Sequence, residues 1–151
     1  MIRVVLDANQ FVSALLKPHS NSGQILSLIS EDKIALLASD EIITEITDVL
    51  LYPRIMKRIA QSPGYLKTFM ERIWSVAIIT EGKIQVAIID DDPSDNKYLS
   101  CALEGKADFI ISGDRHLKDF KSYKNIAIVD PGTFLAIIKQ KGEEDRALRG
   151  R

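Results

Sequence analysis

Ile2-Arg3-Val4-Val5-Leu6-Asp7 opens the chain with a short, largely β-branched run that ends on an acid. Such a run reads as a strand. Comparable runs recur at residues 34–38, 76–79, 109–112 and 126–129. Between them lie longer segments of helical period, roughly 23–30, 40–51, 54–60, 64–74, 93–104 and 131–141. Asp130-Pro131 opens the last of these as N-cap and first helical residue. The alternation predicts an α/β fold, a three-layer α/β/α arrangement with a parallel sheet of about five strands flanked by helices. Residues 86–89 extend or replace the third strand, which Gly82 interrupts, and both readings stay open.

The 151 residues suffice for one core without disulfides. One domain is expected over residues 1–141, followed by a charged, flexible tail over 142–151. With 46% hydrophobic and 27% charged residues, disorder is excluded, and no apolar run is long enough to span a bilayer. The N-terminus carries nothing with the pattern of a secretory signal, so the expected location is the cytoplasm, with no membrane partner. Cys101, His19 and His116 cannot assemble a typical structural zinc site, so any metal must be held by oxygen. A formal net charge of -1 excludes a strongly basic nucleic-acid coat and makes any nucleic-acid contact local. Basic residues gather at Arg54, Lys57 and Arg58, and again at Arg115, Lys118, Lys121 and Lys124. Solvated surface charge is the favoured reading of both groups, since charged residues generally sit outside.

In a parallel sheet, strand C-termini and the N-termini of the following helices share one edge, and ligands bind there. Asp7 ends the first run, Asp114 follows the fourth by two residues, Asp95 falls in a first helical turn and Glu45 in a second. All four belong to that edge. At roughly 100° per residue, Asp95 lies on the apolar stripe of Leu99 and Ala102 and faces inward. Glu45 borders the face of Ile42, Ile46, Val49 and Leu50, whereas Glu41 and Asp48 turn further toward solvent. Taken singly, each acid has a structural explanation in a turn, a cap or the surface. Together, four carboxylates on one edge repel one another unless a cation neutralises them. Oxygen donors without thiolate or imidazole suit Mg²⁺ or Mn²⁺, one or two ions.

With these residues placed, the sequence resembles the PIN domain. The resemblance rests on Asp7-Ala8-Asn9 after the first strand, Glu45 in the helix after the second, Asp92-Pro93-Ser94-Asp95-Asn96 opening a later helix, and Ser112-Gly113-Asp114 after the fourth strand. It extends over residues 2–138, and the ordered set is more specific than any single motif. Residues 92–117, with Pro131-Gly132-Thr133-Phe134-Leu135, resemble in particular the VapC-like ribonuclease branch, the toxins of toxin-antitoxin modules. The resemblance implies a divalent-metal-dependent endoribonuclease acting on RNA. Asp7, Glu45, Asp95 and Asp114 match its acidic quartet as catalytic residues and metal ligands. Asn9 and Ser112 match polar positions that orient the carboxylates or their waters. It also implies a small antitoxin partner and a homodimer. Arg115-His116 stands where some relatives carry a further acid, which leaves the number of metal ions open.

The expected reaction is hydrolysis with water as nucleophile, leaving a 5′-phosphate and a 3′-hydroxyl. Scarcity of histidine fits this choice, since metal-free ribonucleases usually rely on it for acid–base work. Two other readings compete with this one. A Mg-dependent phosphatase or phosphoacceptor domain also places acids at strand ends, but the second acid of the haloacid-dehalogenase pattern is here Asn9. A non-catalytic PIN-like scaffold binding RNA or protein has no need of all four acids. The apolar residues between Asp48 and Trp74 exceed what one small helix face requires and serve either the core or a partner groove.

Overall fold

The opening run forms β1 (Arg3–Leu6) in the computed structural model, which describes residues 1–59, 63–87, 95–114 and 121–150. Val4, Val5 and Leu6 are all at most 1% exposed, because β1 is covered on both faces. The strand is followed by α1 (Ala8–Leu16), α2 (Asn21–Ser30), β2 (Ala35–Ser39), α3 (Asp40–Leu50), α4 (Pro53–Arg58) and α5 (Pro63–Val76). Then come β3 (Ile78–Thr80), α6 (Asn96–Glu104), β4 (Phe109–Ile111), β5 (Ser122–Tyr123), β6 (Ile126–Val129) and α7 (Pro131–Arg149).

The sheet runs β3-β2-β1-β4-β6-β5. Every pairing is parallel except β5 with β6. This is the expected α/β fold, a mostly parallel sheet flanked by helices. The short antiparallel strand β5 was not anticipated, since two residues carry no periodic signal. It joins β6 through Lys124 and Asn125, both with positive φ (46° and 69°), the backbone that a two-residue hairpin turn demands.

Helix α1 was also missed. Only Asp7 separates it from β1, so no linker marks its start, although Phe11, Ala14 and Leu15 recur at helical spacing and are buried. Residues 17–20 form the loop that leads into α2, where the Ser20 hydroxyl accepts the Gly23 amide at 3.2 Å. Gly23 is required here: a Cβ would lie 2.1 Å from the Pro18 carbonyl oxygen. Gly23→Ala should therefore lower stability by about 2 kcal/mol, read as a reduced urea midpoint. An unchanged midpoint would mean that the Pro18 backbone yields at no cost.

After β3 the chain does not continue as strand. Residues 83–87 lie against α6, with the Glu104 carboxylate accepting the Gly82 and Ile84 amides at 3.0 and 2.9 Å. Ser100 Oγ accepts the Val86 amide at 2.9 Å. The third strand is thus β3 itself; residues 88 and 89 lie outside the described set. The bonds from the Ile84 and Gly82 amides hold the Glu104 carboxyl below its ordinary pKa.

At the C-terminus α7 runs on through Arg149, beyond the helix end at residue 141 that the sequence predicts. Glu143, Glu144, Arg146, Ala147 and Leu148 are sound helix formers, and Gln140 bonds to Glu144 one turn along at 3.5 Å. The core continues from the sheet into the helices, with Phe109 and Phe134 edge to face at 5.3 Å. Cys101 is buried, and that burial pushes its thiol up to about 11, so it is protonated at neutral pH. No helix among the described residues is long and apolar enough to cross a membrane.

Candidate active site

The parallel register sets the first part of the site. Leu6 stands opposite Ile111, so the residues that leave β1 and β4 side by side are Asp7 and Ser112. The Asp7 amide bonds to the Ile111 carbonyl at 3.2 Å, and the Ser112 amide to the Val129 carbonyl at 3.0 Å, which fixes both at the same edge. Ser112 Oγ donates to Asp7 Oδ2 and accepts the Asp114 amide at 2.9 Å. One hydroxyl therefore ties together two of the acids. Ser112 is fully buried and Asp7 is 4% exposed.

Asp7 is also the N-cap of α1, its Oδ1 accepting the Gln10 amide at 3.2 Å. Burial raises its pKa above the ordinary value, and the hydrogen bonds from Ser112, Gln10 and the Asn9 backbone pull in the other direction. Burial is the largest of these causes, so its carboxylate is a charge held at a cost.

Helices α3 and α6 supply the second part. Glu45 sits at the border of the buried face of α3, as its spacing predicts, with its side chain 34% exposed. Its Oε2 accepts the Tyr98 hydroxyl at 2.8 Å and lies 2.7 Å from Lys97 Nζ. The Tyr98 oxygen in turn accepts the Ala8 amide at 3.2 Å, which links Glu45 to the first turn of α1, next to Asp7. Tyr98 is buried, and burial together with Glu45 pushes its phenol far above the ordinary value.

Asp95 occupies the N-cap position of α6 but makes no side-chain capping bond. It is 7% exposed, on the stripe with the fully buried Leu99 and Ala102. It has polar interactions of its own, yet one of its oxygens, Oδ2, is buried and accepts no hydrogen bond. Asp92, Pro93 and Ser94, expected to open this helix, and Arg115, His116 and Lys118 lie outside the described residues.

A PIN-domain family model matches residues 3–116, with its ends close to β1 and just beyond Asp114. The chain belongs to the PIN-domain family. Over 116 residues, 77% of this chain and 73% of the relative, it is 37% identical to the uncharacterised protein MJ1680 of Methanocaldococcus jannaschii. Among solved structures it is similar to PAE2754 from Pyrobaculum aerophilum, with a TM-score of 0.53, 15% identity and coverage of 92% of this chain and 90% of that one. It is likewise similar to a chain of VapBC2 from Rickettsia felis bound to a DNA fragment from their promoter, with a TM-score of 0.52, 15% identity and coverage of 84% and 97%. At those identities the likeness is one of fold. PIN domains are generally nucleases and typically use divalent metal ions.

In this PIN domain one of the two polar residues singled out in the sequence, Ser112, bonds to the Asp7 carboxylate through its side chain, and the other, Asn9, does not. Asn9 is exposed and offers Asp7 its backbone amide, while the buried neighbour is Gln10. Gln10 is 6% exposed, and its Oε1 accepts the Ser22 hydroxyl at 2.6 Å. Gln10 could have been found only after α1 was recognised, since its burial follows from the phase of that helix, and Ser22 reaches it from the first turn of α2. Lys97 and Tyr98 are two and three residues after Asp95 on α6, where a polar side chain beside an inward acid was the available signal.

The donors suit a hard cation by chemistry. Asp7, Asp95, Asp114 and Glu45 offer carboxylate oxygen alone, and the first two are buried where an uncompensated charge is costly. Among the described residues, no three acidic, histidine or cysteine side chains stand in an arrangement that grips one ion. Serine and tyrosine hydroxyls, an amide and the Lys97 ammonium hold the Asp7 and Glu45 carboxylates here.

Proposed function

We propose that this PIN domain is a Mg²⁺- or Mn²⁺-dependent endoribonuclease and the toxin of a toxin-antitoxin pair. One observation carries the nuclease reading: Ser112 Oγ joins Asp7 at the end of β1 to the Asp114 backbone beyond β4, at the sheet edge where phosphate ligands bind. Asp7, Asp95 and Asp114 would hold the ion, with Glu45 assisting. When bound, such an ion lowers the pKa of a water, clamps the phosphodiester and stabilises the leaving oxygen.

The chain's own residues supply orientation. Ser112 and the Gln10 amide fix the Asp7 carboxylate through both oxygens. Tyr98 holds Glu45 against the start of α1. Because water is the nucleophile, the RNA 2′-hydroxyl takes no part, and the products carry a 5′-phosphate and a 3′-hydroxyl.

The toxin role leans on the resemblance to the VapC-like branch and on the fold shared with the VapBC2 chain. A small antitoxin and a second copy of the chain are the partners it calls for. Leu51, Tyr52, Met56 and Tyr65, each at least 40% exposed around α4 and α5, offer apolar surface for one of them. The neighbouring gene tests the antitoxin directly.

The test of the enzyme is to incubate the pure protein with total RNA and Mn²⁺ and sequence the RNA ends. New 5′-phosphate ends that vanish with Asp95→Asn are the expected result. Ends carrying a 2′,3′-cyclic phosphate would overturn the mechanism, and identical ends from Asp95→Asn would overturn the site.

A further inference from the structure

Lys97 and Tyr98 are adjacent on α6 and converge on one oxygen of Glu45. Lys97 Nζ stands 2.7 Å from Oε2 and the Tyr98 hydroxyl 2.8 Å. The pairing is asymmetric, since the lysine side chain is 8% exposed and the glutamate 34%. A lysine commonly keeps its head in water and buries only its stem. Here the ammonium is drawn inward instead, 5.0 Å from the centre of the Tyr98 ring, which adds a further attraction. Glu45 thus has a fixed positive charge beside it.

We propose that Lys97 is a positioning residue and the resident counter-cation of the acidic site, opposing a divalent ion there and holding Glu45 away from it. The proposal rests on the metal-dependent reading above. Two effects act in the same direction. A unit positive charge beside the carboxylates raises the free energy of any second cation among them. Glu45, bound through Oε2 to Lys97 and Tyr98, must loosen that contact before it can give both oxygens to a metal. Lys97 accordingly offsets part of the repulsion among the acids when no metal is bound, and weakens metal binding in return.

Removing the charge should tighten metal binding. Lys97→Met keeps the apolar stem and deletes the ammonium, while Lys97→Arg keeps the charge. For charges separated by several ångströms near a protein surface, the expected gain is about tenfold in Mn²⁺ affinity. The experiment is a Mn²⁺ titration of the full chain, with free Mn²⁺ read by electron paramagnetic resonance, on wild type, Lys97→Met, Lys97→Arg and Asp7→Asn. Melting temperatures are taken in parallel with and without Mn²⁺.

Lys97→Met is expected to bind about tenfold more tightly and Lys97→Arg to stay within about twofold of wild type. Mn²⁺ should raise the melting temperature of Lys97→Met by more than that of wild type, since tighter binding to the folded state stabilises it further. In a Glu45→Gln background the effect of Lys97→Met should shrink, because the two residues act through one contact. Should Lys97→Met fail to fold, Lys97→Gln is read in the same way. Mn²⁺ binding that needs Asp7 but is unchanged or weakened by loss of the Lys97 charge overturns the proposal alone. If wild type shows no Mn²⁺ binding that depends on Asp7, the metal reading falls, and this proposal with it.

Discussion

Asp7→Asn is expected to cut RNA cleavage on the order of a thousandfold while raising the melting temperature of the metal-free protein. The two effects have one origin. Asp7 is 4% exposed, and burial raises its pKa above the ordinary 3.8. The folded state therefore binds a proton more readily than the unfolded chain. Its contribution to stability is most favourable below the unfolded pKa and is lost as pH rises through the raised folded value, so the ionised carboxylate opposes folding. Asparagine removes that charge, keeps nearly the same shape and is as good an N-cap for α1. The gain should be about 1 kcal/mol, within the range of substitutions that relieve a costly functional group. The same change removes a charged metal ligand, and several kcal/mol of transition-state stabilisation correspond to about three decades in rate. Thermal melts at pH 7 and a cleavage assay with Mn²⁺ check both. A less stable Asp7→Asn would show that the carboxylate's bonds to Ser112 and Gln10 outweigh its burial.

That conflict between charge and burial explains which parts of the molecule could be read in the sequence. The central strands were legible because β1 and β2 are buried on both faces and appear as unbroken apolar runs. Asp95 was legible because a helix phase that places Leu99 and Ala102 inside places it there as well. Helix α1 was not, since Asp7 serves as both strand end and N-cap and leaves no punctuation between the elements. The side chains that hold the acids were harder still. Gln10, Lys97 and Tyr98 are ordinary residues in sequence, and their roles depend on the parallel register of β1 with β4 and on the approach of α6 to α3. Placement of the acids at one edge follows from topology, whereas the partners that tune each acid follow from packing.

Ser112 is the residue at which register and packing meet, and Ser112→Ala should have the second largest effect. Its hydroxyl donates to Asp7 Oδ2 and accepts the Asp114 amide at 2.9 Å, and the side chain is fully buried. Alanine fits the space but leaves a buried carboxylate oxygen and a partly buried amide without that partner. Each such loss costs about 1–3 kcal/mol, so the urea midpoint should fall by an amount corresponding to at least about 2 kcal/mol. Activity should fall by about 10- to 100-fold, the usual cost of removing a group that orients a metal ligand. The pH profile separates this role from simple destabilisation. The hydrogen bond from Ser112 lowers the Asp7 pKa, so its loss raises that pKa further and fewer Asp7 carboxylates are ionised at a given acidic pH. The acid limb of the cleavage profile must then move to higher pH in Ser112→Ala, and Ser112→Thr, which restores a hydroxyl, should move it back. A profile that keeps its acid limb while the stability falls would reduce Ser112 to a structural role and leave Asp7 to be oriented by Gln10 and the turn of α1 alone.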